Sequence, residues 1–145
     1  MTEATWSTPV AFADVWQRSV AARPDQTFLV FEGPDGSVAE WTYAEFDAAV
    51  ARVAHTLRRH GVEPGDAVHL ALTNSPSFVA VWLAAARLGA WIVPSDPIAR
   101  ERELAGHIER TRPKVGVCST ARADVYRAAS GDLDVIAVDE SDVDL

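Results

Sequence analysis

Hydrophobic and polar positions along this chain alternate between a helical and an extended period. From Val10 to Ala22, Phe12, Val15, Trp16 and Val20 fall near one helical face, and the pattern stops before Pro24. Thr27 to Phe31 and Ser37 to Trp41 read as short strands around the turn residues Gly33, Pro34, Asp35 and Gly36, which predicts a hairpin. Thr42 is followed three positions later by Glu45, the spacing at which each side chain caps the other's backbone N–H. Behind this pair, Phe46, Ala49, Val50, Val53, Ala54 and Leu57 line one face of a helix. Arg58 and Arg59 complement the dipole at its end, and Gly61 stops it.

After a turn at Pro64, Gly65 and Asp66, Ala67 to Leu72 reads as a strand. Asn74 or Ser75 caps the next helix, with Pro76 in its first turn, and that helix runs to about Leu88. Phe78, Val79, Val81, Trp82, Leu83 and Ala84 to Ala86 make it apolar nearly all round, the signature of a helix buried on most sides. A small domain is not expected to surround such a helix. Gly89 permits a tight connection into a strand at Trp91 to Val93, ended by Pro94. A polar helix at Glu101 to Arg112, a strand at Val115 to Cys118, a helix at Arg122 to Ala129 and a strand at Val135 to Val138 follow. Strands separated by helices of this length predict an α/β fold: a mostly parallel sheet flanked by helices, preceded by the first helix and the hairpin.

Composition narrows the function classes. The chain has 145 residues, 48% of them hydrophobic and 23% charged, which is globular and enough for a single core. Its formal charge is −8, and no basic patch offsets it, so nucleic acid is not an expected partner. Residues 130–145 carry Asp132, Asp134, Asp139, Glu140, Asp142 and Asp144 without Lys or Arg, and are expected to be an acidic end or a linker. Cys118 is the sole cysteine, which excludes an internal disulfide and a multi-thiolate metal site. Met1 to Pro9 has no basic targeting region. The apolar run Phe78 to Val93 is interrupted and falls short of the roughly 20 residues of a membrane span. A cytoplasmic protein is expected.

Candidate chemistry is sparse. No glycines are spaced as a phosphate cradle, and the single lysine, Lys114, precedes a strand rather than following a loop. His55, His60, His69 and His107 meet no metal-ligand spacing. Cys118 lies on a core-type strand and reads as a small hydrophobe. Ser75 and Ser77 flank a helix-starting proline and read as caps. Ser95 and Asp96 follow a strand, where α/β folds place their sites, yet Pro94 and Pro97 around them also suit a rigid turn. The five tryptophans lack the basic groove of a stacking platform and are expected in packing or interfaces.

Four segments, in order and with natural spacing, resemble the N-terminal region of the adenylate-forming enzymes, the family of acyl- and aryl-CoA synthetases. They are Trp41 to Phe46, Arg58 to Asp66, Leu72 to Phe78 and Leu88 to Pro94, and the resemblance extends over roughly residues 10–120. It implies that the complete family enzyme uses ATP, Mg²⁺ and CoA to convert a carboxylate to an acyl-adenylate and then a thioester. It also implies that the phosphate loop, the ribose-binding Asp and the catalytic lysine lie beyond this segment. No catalytic, cofactor-binding or metal residue is therefore expected here, and the chain alone is not expected to adenylate. The expected partner is the remainder of a synthetase, in the same or a complementary polypeptide, or a second copy of the chain. The alternatives are a free-standing interaction module and, more remotely, a small enzyme built around Ser95 and Asp96.

Overall fold

A computed structural model describes residues 11–143. The expectations about targeting and about Trp6 concern residues 1–10 and lie outside the described residues. Helix α1 (Phe12–Ala22) leads into a hairpin of β1 (Thr27–Glu32) and β2 (Val38–Thr42), and α2 (Tyr43–Arg59) follows directly. The repeating part comprises β3 (Ala67–Ala71), α3 (Pro76–Leu88), β4 (Trp91–Pro94), α4 (Glu101–Thr111), β5 (Val115–Ser119), α5 (Ala123–Ser130) and β6 (Val135–Val138). Those four strands form a parallel sheet in the order β4-β3-β5-β6, while β1 and β2 form a separate antiparallel pair.

The layers follow from that order. The connection through α3 runs from β3 outward to β4, and the connection through α4 returns past β3 to β5. Right-handed crossovers in opposite directions put their helices on opposite faces. Accordingly α3 packs with α1 and α2 over Val68, Leu70, Val115 and Val117. On the other face, α4 and α5 cover Ala71 and Cys118. Both central strands are buried along their whole length.

Capping proceeds as the sequence predicts. The Thr42 hydroxyl accepts from the Glu45 N–H at 3.2 Å, and the Glu45 carboxylate accepts from the Thr42 N–H at 2.8 Å. Of the two cap candidates for α3, Ser75 is the one that serves. Gly89 ends α3 with φ of 73°, which a residue with a side chain rarely adopts. Helix α4 stops at Thr111, one residue before the expected end, because Pro113 disfavours helical backbone at Arg112.

Three expectations are corrected. Helix α3 is buried within this chain itself: α1, α2 and the sheet cover Ala80, Val81, Leu83, Ala84, Ala85 and Leu88. Asp47 ties those helices together, its carboxylate accepting from Trp16 Nε1 at 2.7 Å and from Arg87 at 3.0 Å. Trp82 nevertheless remains 43% exposed, its ring stacked on Phe12 with centroids 5.3 Å apart. Second, Ser77 is not only a helix-start residue; its buried hydroxyl donates to the carbonyls of Asp139 and Asp142. Third, the acidic stretch is folded rather than frayed as far as it is described: those bonds and the burial of Val143 hold 139–143 against the amino end of α3.

Candidate functional site

The carboxyl ends of β3, β5 and β6 open into a crevice of about 460 Å³. It lies where the connections from the neighbouring strands β3 and β5 depart in opposite directions, the position at which open α/β sheets bind ligands. Thr73 continues β3, Ser119 ends β5, Thr120 begins the turn into α5, and Asp139 and Glu140 follow β6. Phe31 and Pro34 of the hairpin close the side. The ionisable groups in this lining are two carboxylates. Glu140 Oε1 accepts from the Thr73 hydroxyl at 2.8 Å and from its N–H. Asp139 Oδ1 accepts from the Ser141 hydroxyl at 2.6 Å and its N–H at 3.0 Å, and these bonds hold the carboxyl below its ordinary range. Along the sequence these acids read only as part of an acidic end. Their convergence with Thr73 and Ser119 depends on strand order, which spacing does not reveal.

A second polar group lies inside the opposite layer. His69, on β3, is fully buried and its Nδ1 is 2.7 Å from the Tyr126 hydroxyl of α5. Gly116 on the neighbouring strand makes room: a Cβ there would come within 2.3 Å of that hydroxyl. Nε2 of His69 has no hydrogen-bond partner. Burial, with the His107 imidazole on α4 nearby, lowers the His69 pKa to about 4. Tyr126 is pushed above its ordinary value by the same burial. His107 in turn meets Ser95, with Nδ1 and Oγ 3.1 Å apart. The sequence points to His69, Ser95 and His107 one by one; the structure brings them together and adds Tyr126.

The remaining candidates stay apart. Cys118 is buried and its thiol is raised to about 11, mainly by loss of water, so it is a neutral core group. Asp96 is exposed and accepts from the Ile98 N–H at 2.9 Å in an ordinary turn. His60 pairs with Asp134, while His55 and Lys114 are exposed. Among the described residues no three His, Cys, Asp or Glu side chains are grouped to hold a metal ion. No helix there is long and apolar enough to cross a membrane.

The family model for AMP-binding enzymes matches residues 16–144. The chain belongs to the AMP-binding enzyme family. Among curated AMP-binding enzymes it is 30% identical over 113 residues to a crotonobetaine/carnitine–CoA ligase of Salmonella arizonae, and 29% identical to that of Citrobacter koseri. Each alignment covers 78% of this chain and 22% of the relative, so the chain spans about a fifth of those ligases' length. A solved fatty acyl CoA synthetase of Mycobacterium tuberculosis superposes with a TM-score of 0.77 at 25% identity, covering 88% of this chain and 26% of that one. A benzoate CoA ligase of Burkholderia xenovorans shares the fold, with a TM-score of 0.79 at 19% identity over 91% of this chain and 26% of its own. The parallel sheet flanked by helices is thus that of the N-terminal domain in the acyl-CoA synthetase fold.

Proposed function

We propose that this chain forms the N-terminal part of an ATP-dependent carboxylate–CoA ligase and is not catalytic by itself. The observation that carries the reading is the family match over residues 16–144, joined to relatives of which the chain spans 22%. In such an enzyme ATP and a carboxylate give an acyl-adenylate and pyrophosphate, and the CoA thiol then displaces AMP. Both transfers require cations or N–H donors fixed around phosphate oxygens. The residues of the strand-end crevice do not meet that requirement, because its ionisable groups, Asp139 and Glu140, repel phosphate. No step of adenylation is therefore assigned to them. The role of this segment is to supply a sheet with both faces covered, against which the nucleotide-binding part packs.

A docking role has its own support. Phe12 and Trp82 stack in the open, and next to Trp82 an apolar groove of about 340 Å³ runs between β1 and α3 past Leu29, Val30, Phe78 and Val79. This face suits the remainder of a synthetase, whether joined covalently or supplied as a complementary polypeptide.

ATP–pyrophosphate exchange tests the reading. The chain alone is expected to give background exchange with short-chain, long-chain and aromatic carboxylates, and a polypeptide carrying the remaining family segments is expected to give exchange. Intact mass of the native polypeptide, captured from its source cells, distinguishes a joined from a split enzyme. Exchange by the 145-residue chain alone overturns the proposal.

A further inference from the structure

The apolar groove beside Trp82 follows the edge of a strand. We propose that it is a strand-addition site, in which an extended segment from the rest of the synthetase pairs with the free edge of β1 and packs against α3. The proposal rests on the ligase reading above and adds the form of the segment that docks. Leu29, Val30 and Phe31 all line the groove. Neighbouring side chains of a strand point to opposite faces, so three in a row place the groove along the edge of β1 rather than over one face. Opposite them, Ser75, Phe78, Val79 and Trp82 recur at the three- and four-residue spacing of one helix face. The lining includes no ionisable side chain, which suits an apolar occupant.

The backbone supplies the second observation. Among the described residues β1 has β2 as its single neighbour, so its other edge is open. Gly33 donates to the Ser37 carbonyl at 2.7 Å, and the bonded positions of an antiparallel pair alternate. Phe31, opposite Ala39, and Leu29, opposite Trp41, therefore carry the ladder to β2. Val30 and Glu32 turn their N–H and C=O groups the other way, to the edge that the groove follows. Thr27–Glu32 has no Lys or Pro to guard this edge, and Val30 is 58% exposed. A two-stranded pair is also less than a stable sheet needs. An added strand meets both demands: its backbone pairs with Val30 and Glu32, and its alternate apolar side chains fill the groove. An amphipathic helix would fill the groove and leave those backbone groups unpaired.

Position identifies the source of the strand. Ser77 holds the carbonyls of Asp139 and Asp142 at the amino end of α3, and Asn74, Ser75 and Pro76 at that same end line the groove. Chain that follows Val143 thus starts beside the groove. The curated ligases of which this chain spans 22% have ample length to return a strand to it.

Amide hydrogen exchange and NMR test the proposal. In the 145-residue chain alone, the Leu29 and Phe31 amides are expected to be protected and those of Val30 and Glu32 to exchange freely. The probe is a capped peptide of about six residues, the length of an ordinary strand, alternating valine and threonine. Near saturation it is expected to slow exchange at Val30 and Glu32 about tenfold and to shift the signals of Phe78, Val79 and Trp82. The same peptide fully N-methylated, which has no N–H to pair, is expected to do neither. Val30→Pro removes an outward N–H and keeps the ladder to β2, while Trp82→Ala removes a groove wall and no strand hydrogen bond. Each is expected to weaken peptide binding about tenfold, with unchanged amide shifts in the four-stranded sheet verifying the fold. In this chain joined to, or mixed with, the remaining family segments, Val30 and Glu32 are expected to be protected without peptide. Four outcomes overturn the proposal: equal binding of the N-methylated peptide, unaltered binding by both variants, free exchange at Val30 and Glu32 with the remaining segments present, or protection in the chain alone that rises with its concentration and so assigns the edge to a second copy. An open edge in an active ligase sinks the strand proposal alone, and a paired edge without ATP–pyrophosphate exchange sinks the ligase reading alone.

Discussion

His69 stands at a position where a strand covered on both faces is expected to carry an apolar side chain. Its neighbours Val68 and Leu70 point into one layer and it points into the other, toward Tyr126 and His107. The Tyr126 hydroxyl satisfies Nδ1, and the lack of a partner at Nε2 makes protonation costly, because a charged imidazole would be buried with one ring nitrogen unpaired. The neutral form is therefore favoured. With the pKa lowered to about 4 from an ordinary 6.5, the unfolded chain binds more protons than the native one between those values. Stability must then be fully present above pH 6.5 and decline as the pH falls toward 4. The decline from this residue is at most about 2 kcal/mol between pH 7 and pH 5. An NMR titration of the His69 ring checks it directly, and a pKa near 6.5 would sink the account. Denaturation of His69→Gln at the two pH values should show a smaller difference between them than the unmodified chain.

At the scale of elements, the start of α2 is the most local feature in the molecule, and it is fully legible in the sequence. Thr42 and Glu45 are three residues apart, and both reciprocal bonds form. Thr42→Ala is expected to lower stability by about 1 kcal/mol, whereas Thr42→Ser, which keeps the acceptor oxygen, should cost little. Urea denaturation of the three proteins decides it; equal midpoints would mean that the cap contributes nothing. The hairpin, both buried strands and β6 are legible for the same reason, since period and turn residues are local signals. What is not legible depends on distant partners. Helix α3 looks too apolar for a small domain because the sequence does not show that α1 and α2 lie over it. The acidic stretch looks solvated because nothing near it in sequence announces that Ser77 holds it in place. Helix α4 is a different case: Arg100 has no side-chain acceptor to complete a cap, yet Glu103 accepts from the Arg100 N–H at 2.8 Å and the helix begins at Glu101, where the sequence predicts it.

The whole molecule explains why its candidate sites escape a reading along the chain. Thr73, Ser119 and Glu140 are separated by an entire βα unit or more, and only the order β4-β3-β5-β6 brings them to one rim. Ser95 and His107 meet for a similar reason: a strand end faces the helix that follows it. The same topology makes a prediction about stability. Strands β3 and β5 are buried on both faces, so Val68, Leu70, Val115 and Val117 serve the layer of α1 to α3, while Ala71 and Cys118 serve that of α4 and α5. Removing either layer would expose the sheet face under it, including His69 with its single hydrogen bond. Neither layer is therefore expected to persist without the other, and unfolding should be two-state. Tryptophan fluorescence reports the first layer through Trp16 and Trp41. Amide exchange at Val125 and Tyr126 reports the second. In urea these probes and far-UV circular dichroism should share one midpoint. Exchange of the α5 amides through an opening that leaves the tryptophan signal native would show instead that the α4–α5 layer is a separate cooperative unit. The sheet would then be stabilised chiefly from the α1–α3 side.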